Sequence, residues 1–81
     1  MTKNRHLAIL RALGAVHPYM IPEDSLFADA NIRMSVPLSY TDFRQLLTDL
    51  EQKRRAVCID SEDGRKWKIT DEGKARLAEL A

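Results

Sequence analysis

The sequence predicts an α+β domain in which helices supply most of the core and one β-hairpin completes it. Three observations carry that expectation. Phe43, Leu46, Leu47 and Leu50 recur at helical spacing. The runs "AVCI" and "KWKI" flank a polar turn that ends in Gly64. Thr70 then opens a final stretch, "DEGKARLAEL", with helical patterning. Eighty-one residues, 44% hydrophobic and 31% charged, suit one small domain over 1–81, with a core just sufficient to fold without staples.

Asn4 is placed to cap a first helix, with Leu7, Leu10 and Leu13 on one face and Gly14 just past its end. The stretch "AVHPYMIP" is too short and too bounded by proline for another helix. It predicts an extended connector with Tyr19 and Ile21 in a short strand. Pro22 suits the first turn of a second helix, and Glu23 and Asp24 complement its positive end. Leu26, Phe27 and Ala30 give that helix an apolar face, and it stops before "RMSVPL" because Pro37 disfavours helix at Val36.

Ser39 opens the third helix, expected over about 39–54, with Asp42 in a near relative of a capping box. Lys53, Arg54 and Arg55 close it at the negative end of its dipole. In the hairpin, Trp67 and Ile69 alternate with Lys66 and Lys68, so rings and branches point inward and ammonium groups outward. Gly64 supplies the positive φ of the turn. In the last helix Ala75, Leu77, Ala78 and Leu80 are the candidates to return to the core.

Composition excludes several classes. No apolar run approaches the roughly 18 to 20 residues of a membrane span. Arg11 interrupts the apolar part of the N-terminal stretch, which reads as an amphipathic helix and not as a signal peptide. Cys58 is the single cysteine, so a cysteine-rich zinc site is excluded and a reducing cytoplasm is the expected home. Its expected role is a small packed residue on a strand. His6 and His17 stand on different elements without a cysteine pair, and there is no phosphate loop or catalytic motif. The expectation is a non-enzyme with no metal and no cofactor.

Net charge is only +1, but it is distributed in blocks. Residues 1–22 carry +3, 23–38 carry −2, 39–55 carry +1, 56–64 carry −3 and 65–81 carry +2. The low total argues against a polyanion binder that works through bulk charge. The blocks suggest faces with different partners.

The order helix, strand, helix, helix, strand, strand, helix resembles the winged helix-turn-helix superfamily of DNA-binding domains, found in small bacterial and phage-type transcriptional regulators. The most specific stretches are "FRQLLTDLEQKRRAV" and "GRKWKITDEGKARL", the latter with Ile69, Thr70 and Gly73 in an Ile/Leu-Thr-x-x-Gly pattern. The likeness covers nearly the whole chain. It departs from the pattern where a glycine usually follows the Leu-Glu pair. Arg54 or Arg55 stands there, and a left-handed conformation would cost about 1–2 kcal/mol. The segment from Ala30 to Ser39 is also longer than a tight helix-turn-helix turn.

The resemblance implies a winged helix that binds double-stranded DNA with its third helix in the major groove. Opposite the apolar stripe, Thr41, Arg44, Gln45 and Thr48 are suited to base edges, with Gln52 a turn further on. Ser39 and Tyr40 stand where a helix N-terminus meets a phosphate. Arg65, Lys66 and Lys68 on the hairpin's return strand are the expected backbone contacts, because Asp60, Glu62 and Asp63 at the tip would be repelled by phosphate. A competing expectation is a protein-interaction module that docks a protein partner through the third helix and the acidic tip. A weak homodimer is expected through apolar positions left over on the outer helices, Ile9 and Ala78.

Overall fold

The computed structural model describes residues 2–34 and 36–80, with side chains over 5–34 and 36–79. Four helices, α1 (Thr2–Val16), α2 (Glu23–Ile32), α3 (Tyr40–Gln52) and α4 (Asp71–Leu80), surround a three-stranded antiparallel sheet. Its strands are β1 (Ile21–Pro22), β2 (Ala56–Ser61) and β3 (Gly64–Ile69), in the order β1-β3-β2. The element order is the expected one, and the architecture is compatible with a winged helix.

α1 is buried more widely than the leucine spacing implies. Ile9, Leu10, Ala12 and Leu13 are all fully buried and Ala8 nearly so, whereas Leu7 is only half-buried. The reason is that α1 packs on α2, α3, α4 and β3 together, so one narrow stripe cannot satisfy it. Ile9 is therefore core, and the expected dimer contact there is incorrect. α1 starts at Thr2, ahead of the Asn4 expected to cap it, whose side chain lies outside those described. It also runs past Gly14. A Cβ at Gly14 would sit 3.0 Å from Leu77 Cδ2, so this glycine admits α4 and does not end α1.

Pro22 belongs to β1 and precedes α2 instead of lying in its first turn. Tyr19 is exposed and outside the strand. α2 contributes buried Leu26 and Ala30 and half-buried Phe27. The long connection to α3 is fixed near its end, where Leu38 is buried and its N–H donates to Asn31 Oδ1 at 2.9 Å. The Ser39 hydroxyl then accepts from the Asp42 N–H at 3.2 Å, capping α3. Phe43, Leu46, Leu47 and Leu50 are buried, as the spacing predicts.

α3 ends at Gln52, two residues short of the expected boundary. Arg54 takes the left-handed position itself, at φ 60°. The chain thus pays the strain that glycine would avoid. A two-residue turn, Glu62–Asp63, joins β2 to β3, and Gly64 follows at φ 112°. Trp67 and Ile69 point into the core, as does Ala56.

Thr70 joins two helix ends. Its hydroxyl donates to the Arg54 carbonyl at 2.5 Å and accepts from the Gly73 N–H at 3.0 Å. Gly73 is required by proximity, because a Cβ there would lie 2.1 Å from the Arg55 carbonyl oxygen. Of the α4 residues expected in the core, Leu77 packs partly against it, Ala75 and Ala78 are exposed, and the Leu80 side chain lies outside those described. α4 touches the rest mainly through α1, so one flank suffices.

Candidate functional site

A helical turn of about 100° per residue sorts the polar side chains of α3. Thr41, Gln45, Thr48 and Gln52 lie opposite the buried stripe. Tyr40, Arg44 and Glu51 lie on the flank toward the hairpin, and Asp42 and Asp49 on the other flank. Thr41, Gln45 and Gln52 are exposed, and Thr48 is half-buried. The Thr48 hydroxyl donates to the Arg44 carbonyl at 3.0 Å, and Gln45 Nε2 makes a long bond to Asp49 Oδ1 at 3.4 Å.

Arg44 is not free on the surface. Its Nη1 lies 2.7 Å from Glu23 Oε1, and Glu23 is only 7% exposed. Trp67 Nε1 donates to the same oxygen at 2.9 Å, and the Tyr40 hydroxyl donates to Oε2. One carboxylate thus takes hydrogen bonds from α3 twice and from β3 once. Burial raises the Glu23 pKa, but the bonds from Tyr40 and Trp67 and the charge of Arg44 outweigh it and leave the carboxyl below its ordinary value. The Glu23 hydrogen bond in turn raises the Tyr40 pKa, so the phenol stays a donor. The Tyr40 ring packs edge-on against Phe27, with centroids 5.3 Å apart.

The expected role of Glu23 as a partner of the α2 dipole is therefore incomplete. It does stand in the first turn of α2, as Asp24 does, but it is buried and shared among three donors. The one sequence signal for this is its position immediately after a strand residue, where a helix start faces the sheet.

Strand alternation divides the expected hairpin contacts. Arg65 lies on the same sheet face as Trp67 and Cys58 and turns toward α3, whereas Lys66 and Lys68 lie on the outer face beside Ile59 and Val57. Arg65 Nε lies 3.5 Å from Asp60 Oδ1 on the facing strand position, so part of the acidic tip is paired within the hairpin. Both lysines are half-buried, and no ion pair involves them among the described residues. Tyr40, Arg44 and Arg65 line an open cleft of about 410 Å³ between the start of α3 and the hairpin turn. A second recess of about 240 Å³, with Thr48, Glu51, Asp60 and Cys58 in its wall, lies on the other side of Arg44. Burial raises the Cys58 pKa, with the charges of Asp60 and Glu51 adding to it, so the thiol is a poor nucleophile.

The site therefore brings together Tyr40, Arg44, Thr48 and Arg65. Ser39, Thr41 and Gln45 stand beside it on the start and outer face of α3, and Lys66 and Lys68 stand apart. No protein-family model, curated protein or solved structure matches the chain. No group of three or more His, Cys, Asp or Glu side chains among the described residues could hold a metal ion. No described helix is long and apolar enough to cross a membrane.

Proposed function

We propose that this chain is a winged-helix domain that binds double-stranded DNA and acts as a small cytoplasmic transcriptional regulator, with α3 in the major groove. The observation that carries the reading is the solvent face of α3. Thr41, Gln45, Thr48 and Gln52 form a row of hydrogen-bonding side chains without charge, which can meet base edges without repelling phosphates. Arg44 borders that row with one nitrogen held by Glu23, so its remaining N–H groups are oriented before any base arrives. Lys66 and Lys68 supply sequence-independent phosphate contacts. A reducing location goes with the one unpaired cysteine, Cys58.

A selection from random duplex DNA at low salt tests this, with an enriched site as the expected outcome. Gln45→Ala should then relax the preference at one base position at a cost of about 1–3 kcal/mol, with the melting temperature unchanged. Lys66→Ala and Lys68→Ala should weaken all sequences alike and reduce the salt dependence. No enriched site would remove the proposal.

One observation favours a second reading, a protein-interaction module. α3 carries Asp42, Asp49 and Glu51 against Arg44 alone, and Arg44 is already paired with Glu23. A protein surface tolerates that acidity better than a phosphate backbone does. A partner lost on reversal of Asp42 and Glu51, with no DNA site found, would establish the second reading over the first.

A further inference from the structure

β2 is an open edge of the sheet, since the order β1-β3-β2 leaves one of its sides unpaired among the described residues. In an antiparallel ladder alternate residues bond to a given neighbour. The Thr70 N–H donates to the Arg55 carbonyl at 3.1 Å, and the register continues from Ala56↔Ile69 to Ser61↔Gly64. Arg55, Val57, Ile59 and Ser61 therefore bond toward β3. The backbone N–H and C=O groups of Ala56, Cys58 and Asp60 point out along the edge.

Edges of this kind are usually blunted by proline, lysine or a bulge. β2 has none of these from Ala56 to Ile59, and its ladder is regular. On its outer face Val57 and Ile59 are 41% and 53% exposed. Charge lies toward the two ends and with opposite sign, Arg55 entering the strand and Asp60, which pairs with Arg65, near its close. Lys53 and Arg54 precede the strand, Glu62 and Asp63 follow it, and all four are exposed.

Such a pattern is complementary to itself when reversed. In an antiparallel register centred on Cys58, Val57 meets the partner's Ile59 on the outer face. The basic turn at Lys53 and Arg54 then stands at the same end as the partner's acidic turn. A parallel pairing would set like charges together. A two-fold axis normal to the sheet gives the antiparallel case and uses the same patch on both copies.

We propose that two copies of this chain pair edge to edge through β2, joining their three-stranded sheets, with the basic and acidic ends of the strand setting the register. This goes beyond the DNA reading and does not depend on it. It also gives the acidic turn a role that phosphate binding denies it. The footprint is one short strand per copy, so the dimer is weak, with a dissociation constant of about micromolar or above.

The test uses sedimentation of the 81-residue chain and two charge-reversed variants across a wide concentration range, at low and high salt. The wild type should show a monomer–dimer equilibrium that salt weakens. Lys53→Glu with Arg54→Glu should raise the dissociation constant about tenfold or more, and Glu62→Arg with Asp63→Arg should do the same. Mixed in equal amounts, the two variants should recover association as a heterodimer. Amide exchange should slow with concentration at Ala56, Cys58 and Asp60. All four residues are exposed, so unchanged thermal melts confirm that each variant is folded. A wild type monomeric to about millimolar concentration overturns the proposal. So does a dimer indifferent to both reversals, or a mixture that fails to associate.

Discussion

The Glu23 carboxylate at the start of α2 accepts a hydrogen bond from the Trp67 indole at 2.9 Å, across 44 positions of sequence. The indole nitrogen is buried and has this acceptor in place of water, and the carboxylate has Arg44 to balance its charge. A buried anion without such partners would cost several kcal/mol.

Glu23→Ala should therefore destabilise the domain by about 1–3 kcal/mol, since it strands the buried Trp67 donor and leaves Tyr40 and Arg44 to solvent. The partial exposure of Arg44 keeps the figure below that of a fully buried pair. Glu23→Gln keeps an acceptor and should lose less. Urea denaturation of both variants provides the check, and an unchanged midpoint for Glu23→Ala would show that the junction adds nothing.

Stability should fall with acid in two steps. Burial is the main cause that lowers the His6 pKa below 6.5, with the charge of Lys53 adding to it. The carboxyl of Glu23 is also lowered, below 4.5. Each group binds its proton less readily folded than unfolded, so each contribution is present above the unfolded value and lost as pH drops through the folded one. His6→Gln should flatten the decline that starts near pH 6.5, and Glu23→Gln the decline that starts near pH 4.5. Denaturant midpoints measured from pH 8 to pH 3 would show the two slopes separately.

Arg54→Gly should stabilise the protein. The left-handed strain at φ 60° is worth about 1–2 kcal/mol, and the added freedom of glycine in the unfolded chain takes back about 0.5–1 kcal/mol. The expected net gain is about 0.5–1 kcal/mol, read as a higher melting temperature. Arg54→Ala, which keeps a Cβ, should show no such gain.

Gly73→Ala should be far costlier than an ordinary helix substitution. The new methyl would meet the Arg55 carbonyl oxygen at 2.1 Å and Ile69 Cγ1 at 2.7 Å, and the backbone contact cannot yield by rotating a side chain. A loss of about 2 kcal/mol or more is expected, with α4 displaced from the hairpin. Thermal melts and amide exchange in α4 would register both effects.

Local signals were legible, and long-range closures were not. The α3 stripe, the Ser39 cap, the Gly64 turn and the inward Trp67 each follow from residues within a few positions of one another. At the exit of α3 an arginine stands where the winged-helix pattern has glycine, which argues against a left-handed turn, yet Arg54 adopts that conformation. Glu23 was hidden because an acid in the first turn of a helix already has a sufficient local reason to be there. Its donors at Tyr40, Arg44 and Trp67 come from elements that only the fold brings near. Ile9 departs from its expected place because leucine spacing marks one face, whereas α1 is covered on several sides. Lys66 and Lys68 point outward as alternation predicts, and the same alternation sets them on the opposite face from Arg65.

The strand order has a consequence for synthesis. β3 occupies the middle of the sheet, yet it is the last strand to leave the ribosome. Until Trp67 and Ile69 emerge, β1 has nothing to pair with and Glu23 lacks its indole donor. The leucines of α3 are meanwhile made before the sheet that shelters them exists. A nascent chain of this protein thus carries the leucines of α3 unsheathed until the hairpin closes over them.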